Sequence, residues 1–119
     1  MNKKEISRLK RHKRIRLKMF GTSEKPRLVI KRSLNNLSAM IIDDSSNKVI
    51  FSLSSANKEF KQKLKSSGSV KAAEAFGQFF SSKAKEKGLS KIIFDRAGYL
   101  YHGRVKTFAD SLRKGGMEF

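Results

Sequence analysis

The sequence predicts a mixed α/β domain with elements in the order βββαβα. Its helices pack on a mixed sheet, and a basic N-terminal arm stands in front. Three observations carry that prediction. Residues 27–53 contain three short runs of strand-like character, joined by connectors rich in turn formers. Two later stretches repeat apolar residues at helical spacing, with a short apolar run between them. The first 32 of the 119 residues hold 13 Lys or Arg against Glu5 and Glu24, so +11 of the chain's +18 lies in its front quarter.

The arm comes first, over residues 1–21. On a helical wheel Ile6, Leu9, Leu17 and Phe20 fall within one arc of about 80°, and most of the Lys and Arg fall opposite. Lys13 interrupts the apolar arc, and Ile15 and Met19 interrupt the basic one. Like charges at i, i+3 and i+4 oppose helix formation. The arm is therefore expected to order only when phosphates neutralise it. Gly21 ends it, and Thr22 to Pro26 reads as a linker into a single domain over 22–119.

In "RLVIKRS" (27–33), Leu28 and Ile30 share one face, with Val29 and Lys31 on the other. "LSAMIID" (37–43) aligns Leu37, Ala39 and Ile41, and "KVIFSL" (48–53) aligns Val49, Phe51 and Leu53. The connectors "LNN" and "DSSN" suit hairpins, so these runs form an antiparallel meander. Phe60 and Leu64 predict a short helix over 57–65. Ser69 is placed to cap a long helix running to about Lys87, with Val70, Ala73, Phe76, Gly77, Phe80 and Ala84 as its apolar stripe. Gly77 is expected to let that helix approach the sheet closely. Gly88 and Leu89 fit a left-handed C-terminal cap. "KIIFD" (91–95) is apolar on both faces, the pattern of a strand buried between layers. Following a helix, it is expected to pair parallel to an earlier strand. Val105, Phe108, Ala109 and Leu112 give the last helix, closed by Gly115 and Gly116, with Met117 and Phe119 pinning the C-terminus.

Charge bounds the function. A net +18 repels itself in the folded state, and a polyanion relieves that repulsion. Nucleic acid is the first candidate partner and a membrane surface the second. There is no cysteine, hence no disulfide frame and no thiolate metal site. No apolar run approaches the roughly 20 residues needed to span a bilayer, and the N-terminus lacks the apolar stretch of a secretory signal. An Arg-rich front end leaves an organelle transit peptide open, but the simplest reading is a soluble cytoplasmic protein.

Catalysis finds little support. Asp43, Asp44, Glu74 and Asp95 are the candidate carboxylates of a Mg²⁺-dependent nuclease. Asp43 and Asp44, however, are adjacent and point to opposite faces of a strand. Asp95 sits beside Arg96, where an ion pair or turn bond explains it. The only histidines are His12 and His102, and no nucleophile motif, phosphate-binding loop or dinucleotide fingerprint is present. No metal or cofactor is expected.

The stretch "FDRAGYLYHGRV" (94–105) reads instead as a binding surface. Gly98 and Gly103 allow sharp turns and close approach. Tyr99, Tyr101 and His102 offer flat faces and polar tips to unstacked bases or riboses. Arg96 and Arg104 fork onto phosphate oxygens. One of the two tyrosines is expected to be ordinary core packing, and His102 serves equally well as a cap.

"DRAGYLYHGRVKTFADSLRKGGMEF" (95–119), with "KPRLVIKRS" (25–33), "IIDD" (41–44) and "KAAEAFG" (71–77) in the same order, resembles the bacterial large-subunit ribosomal protein family numbered eighteen. The resemblance implies a mixed α/β fold with a flexible basic N-terminal arm, and a non-catalytic role. Such a protein binds 5S ribosomal RNA and helps attach it to the large-subunit RNA in the central protuberance, beside neighbouring ribosomal proteins. Carried onto this chain, the resemblance implies contacts from the arm (Lys3, Arg8, Lys10, Arg11, Lys13, Arg14, Arg16 and Lys18). It also implies contacts from Arg27, Arg32 and Ser33, and from Arg96 to Arg104. The first hairpin departs from the family pattern: Asn36 stands where His is common and Ser38 where Tyr is common, so Asn36 offers hydrogen bonds but no stacking. The alternatives are a non-specific nucleic-acid chaperone and, from another class, the nuclease.

Overall fold

A computed structural model describes residues 2–34, 36–57 and 70–119. Its elements are α1 (Lys3–Leu17), β1 (Arg27–Arg32), β2 (Leu37–Asp43), β3 (Lys48–Ser54), α2 (Val70–Glu86), β4 (Ile93–Asp95) and α3 (Arg104–Lys114). The short helix expected around Phe60 and Leu64, and the cap expected at Ser69, lie outside the described residues. Among the described residues no helix is long and apolar enough to cross a membrane.

The strands form one mixed sheet in the order β3-β2-β1-β4. β1 and β2 are antiparallel, with Leu28 opposite Ile41 and Ile30 opposite Ala39, so the apolar positions of both strands share a face. β4 pairs parallel to β1, as a strand returning from a crossover must. It is shorter than the apolar run predicts and lies at an edge of the sheet. Ile92 is fully buried, whereas Ile93 and Phe94 are only half-buried. The apolar run is therefore no central strand. Ile92 belongs to the core and Phe94 packs against it, with Phe119 stacked on Phe94 at 5.2 Å between ring centroids, while Ile93 lines one hollow with Ile15 of α1.

β3 also departs from simple alternation. Ile41 pairs with Phe51 but Ile42 pairs with Val49, so Ile50 is an extra residue. That bulge reverses the facing beyond it. Phe51 and Leu53 pack against the core, while Val49 is 55 % exposed.

α2 and α3 lie together on the core face. Phe76, Phe80 and Phe108 are fully buried, and the Phe76 and Phe108 rings stack at 5.3 Å. Burying each ring stabilises the fold by about 2–3 kcal/mol. Gly77 does allow a close approach, but to α3 and not to the sheet. A Cβ there would lie 2.5 Å from Ser111 Cβ and 3.0 Å from Phe108 O. Ser111 Oγ donates to Glu74 O at 2.6 Å and ties the two helices at the same point. Gly88, at φ +74°, ends α2, and Leu89 N donates back to Ala84 O. Buried Met117 and the Glu118 bridge to Lys91 hold the C-terminus.

α1 crosses the opposite face of the sheet at its β4 end. Its helicity exceeds what its charge predicts, because the protein itself supplies neutralising partners. Asn2 Oδ1 caps the first turn by accepting from Glu5 N, and Glu5 pairs with Arg8 at 2.6 Å. Arg8 Nη1 donates to Ala97 O and Arg11 Nε to Gly98 O, both at 2.8 Å. His12 Nε2 lies 3.3 Å from Asp95, and Arg16 3.7 Å from Asp44. The helix thus docks by a polar face. Ile6, Leu9, Leu17 and Phe20 all remain more than a third exposed.

Candidate nucleic-acid interface

Beneath α1 a polar network fixes the end of the sheet. Arg27 begins β1 on the face away from the core, and β4 places Asp95 beside it. Arg27 Nη1 donates to Asp95 Oδ2 at 2.7 Å and Nε to Asp44 Oδ2 at 3.0 Å. Burial opposes the Arg27 charge, but the hydrogen bonds to Asp44 and Asp95 outweigh it and raise its pKa. The same Arg27 bonds, against the opposing effect of burial, hold the Asp44 carboxyl below the ordinary carboxylate range, helped by the Gly21 N–H. Asp95, fully buried, also accepts from Ala97 N at 2.8 Å. The turn bond expected of Asp95 is present, while its arginine partner is Arg27 and not the adjacent Arg96.

The other carboxylates behave differently. Asp43 accepts from Ser45 and Ser46 in its own turn, chiefly through the Ser45 hydroxyl, which lowers its pKa against the opposing effect of burial. Glu74 is exposed on α2. Among the described residues no group of three His, Asp or Glu could hold a metal ion.

Residues 96–103 form the turn between β4 and α3. Ala97 and Gly98 are both left-handed, at φ +55° and +82°, and Gly103 at +58° leads into α3. Tyr99 is 7 % exposed; its hydroxyl accepts from Arg32 N at 3.1 Å and faces Arg32 O at 3.3 Å. Its ring lies under two guanidinium groups, Arg8 at 4.6 Å and Arg32 at 4.9 Å. Tyr99 is therefore the packing member of the tyrosine pair. Tyr101 is 43 % exposed and accepts from Arg113 Nη1 through its hydroxyl. Arg96 Nη1 donates to Tyr99 O at 2.6 Å, closing the turn, and His102 is exposed.

The β1–β2 hairpin completes the surface. Ser33 N donates to Asn36 O at 2.9 Å, and Asn36 N donates back to Ser33 Oγ. Asn36 Oδ1 accepts from Ser55 Oγ at 3.2 Å, so its amide ties the hairpin to the end of β3. Arg104 Nη2 donates to Ser33 O at 2.7 Å. Burial and then the nearby Arg32 charge lower the Arg104 pKa, with Tyr99 opposing them.

These pieces enclose one concave surface between the N-terminal half of α1, the end of β1 and the turn at 99–104. It is lined by Lys3, Lys4, Arg8, Arg11, Lys31, Arg32 and Arg104, with Tyr99, His102 and a single acid, Glu5. Such a cleft focuses positive potential on an anionic strand. Of the sequence-predicted residues, the fold brings Lys3, Arg8, Arg11, Arg32, Tyr99, His102 and Arg104 here. Lys10, Lys13, Arg14 and Lys18 lie exposed along α1, and Arg16 faces Asp44. Arg27 lies inside the network, 7 % exposed. Lys4 and Lys31 also line the cleft, although neither is among the residues the resemblance carries over. The alternation of β1 does place Lys31 on the side opposite Leu28 and Ile30.

Comparison with known proteins is consistent in kind. The chain is 50 % identical over 112 residues to the large ribosomal subunit protein uL18 of Caldicellulosiruptor saccharolyticus, covering 94 % of this chain and 90 % of that one. It is 47 % identical over 118 residues to uL18 of Dictyoglomus thermophilum, covering 99 % and 96 %. It is 44 % identical over 116 residues to uL18 of Clostridioides difficile, covering 98 % and 95 %. A family model described as "Ribosomal L18 of archaea, bacteria, mitoch. and chloroplast" matches residues 2–119. A mixed α/β fold, a cationic cleft and a match over almost every residue agree: the chain belongs to the L18 family of ribosomal proteins.

Proposed function

We propose that this protein is a structural, non-catalytic component of the large ribosomal subunit that binds 5S ribosomal RNA and helps attach it to the large-subunit RNA in the central protuberance. It works in the cytoplasm, bound to the ribosome, with other ribosomal proteins as neighbours. The observation that carries this reading is the cleft, where seven Lys or Arg converge against one Glu. Of the carboxylates a nuclease would need, Asp44 and Asp95 are engaged by Arg27 and Asp43 by its own turn, while Glu74 stands exposed on α2.

The cleft is irregular, walled by a helix, a strand end and a turn. It suits recognition of folded RNA by shape, since side chains do not enter the deep A-form groove. Arg32, Arg104 and the arm lysines supply phosphate contacts, and Tyr101 and His102 supply exposed flat groups for unpaired bases. If about eight cations engage, a threefold rise in salt lowers affinity on the order of a thousandfold.

A competition shift assay at moderate salt tests the reading, with 5S ribosomal RNA set against transfer RNA and duplex DNA. Strong preference for 5S RNA is expected. Equal competition by duplex DNA would replace this reading with a non-specific chaperone, and cleavage of labelled RNA in Mg²⁺ would replace it with a nuclease. Deleting residues 1–20 removes the helical wall of the cleft with Lys3, Lys4, Arg8 and Arg11, so it is expected to weaken binding to 5S RNA more than binding to the competitors.

A further inference from the structure

The nine Lys and Arg between residues 3 and 18 divide into two sets. Arg8, Arg11 and Arg16 are half-buried and share one helix face with His12, whereas Lys3, Lys4, Lys10, Lys13, Arg14 and Lys18 are exposed. The first set follows the i, i+3/i+4, i+7/i+8 spacing of a single helix face. It meets four acceptors on the domain: Ala97 O, Gly98 O, Asp95 and Asp44.

We infer that α1 is latched to the domain through Arg8, Arg11, His12 and Arg16, with Gly98 as the positioning residue, so that chiefly the six outward cations exchange counterions for phosphates. The last clause rests on the RNA-binding reading above, whereas the latch does not. Two successive left-handed residues, Ala97 and Gly98, present two successive carbonyls to the same helix. The approach is close enough to exclude any side chain: a Cβ at Gly98 would lie 2.1 Å from Arg8 O and 2.8 Å from His12 N. Drawing Arg8 away to a phosphate would break both its bond to Ala97 and its pair with Glu5, so the exchange gains little. The latch fixes which way α1 faces. The outward lysines are thereby presented as a fixed array, and binding loses less conformational freedom.

Gly98→Ala tests this without altering any charge. Amide hydrogen exchange over residues 5–17, in the free protein and in its 5S RNA complex, reads the latch, and the salt dependence of affinity reads the phosphate count. Gly98→Ala is expected to speed α1 exchange and to weaken RNA binding about tenfold at unchanged salt slope, the mark of lost preorganisation. Lys10→Gln, Lys13→Gln, Arg14→Gln and Lys18→Gln together should lower the slope by up to about 3 while leaving α1 protected. Should Gly98→Ala fail to fold, Arg8→Ala with Arg16→Ala takes its place: faster α1 exchange with little change in slope. Wild-type exchange rates in these latch variants, or a slope lowered by about 2 in the arginine pair, overturn the inference. A protein that fails to prefer 5S RNA yet loses α1 protection on Gly98→Ala would keep the latch and lose only the RNA reading.

Discussion

Replacing Arg27 by Met separates the two roles that sequence and structure give this residue. The resemblance places Arg27 among the RNA contacts, whereas the fold holds it between Asp44 and Asp95. Met keeps the aliphatic stem and removes the charge. Removing one partner of a buried ion pair costs about 3–5 kcal/mol, because the other charge remains buried. Here Asp95 retains Ala97 N and His12, and Asp44 retains Gly21 N and Arg16. The loss should therefore fall at the low end, about 3 kcal/mol, which lowers the melting temperature by about 10 °C in a chain of this size. Urea denaturation gives the stability, and adding Asp95→Asn should recover part of it by removing the stranded charge. Since Arg27 is inside the domain, the salt slope of RNA binding in the folded variant should equal that of the wild type. A loss below about 1 kcal/mol together with a slope lowered by about 1 would refute this reasoning and return Arg27 to the RNA surface.

Phe108→Ala removes a fully buried ring stacked on Phe76 and should cost about 3–5 kcal/mol by denaturant unfolding; a loss near 1 would mean that α3 is loosely held. Asp44 has a depressed pKa in the folded state, so its contribution is complete above the unfolded carboxylate value near 4 and disappears as pH falls through the lower folded value. Stability measured against pH should decline below about pH 4, and Asp44→Asn should flatten that limb while lowering the plateau. Tyr99→Phe removes a hydroxyl bonded to the Arg32 backbone and should cost about 1 kcal/mol of stability with RNA affinity within about twofold. Tyr101→Ala should be nearly neutral for stability and weaken RNA binding about tenfold; the reverse ranking of the two tyrosines would sink the assignment of Tyr101 as the exposed stacking group.

Much of the fold was legible because its signals are local. The pairing of Leu28 with Ile41 follows from alternation in two strands joined by a tight turn, and the Val105–Leu112 stripe follows from helical spacing. The misreadings share a cause. Gly77 is plainly a close-approach residue, but no local pattern says whether a helix meets a sheet or another helix. An apolar run such as Lys91–Asp95 looks alike at a sheet centre and at an edge covered by a distant helix. The flip at Val49 depends on one extra residue against a partner strand, which the strand's own sequence does not encode. In the candidate site, the basic arm and the Gly–Tyr–Arg turn were visible as residue types, but their division into inward and outward sets was not.

From the sequence alone come the charge, its concentration at the front of the chain, the periodicities and a family signature, all properties of residues near one another along the chain. What only the tertiary structure decided is which cations are committed to the protein. Arg27 meets Asp95 across 68 residues, and Arg8 reaches Ala97 across 89. A guanidinium is an equally good partner for a carboxylate, a carbonyl or a phosphate, and only the folded positions of those acceptors determine which one it takes.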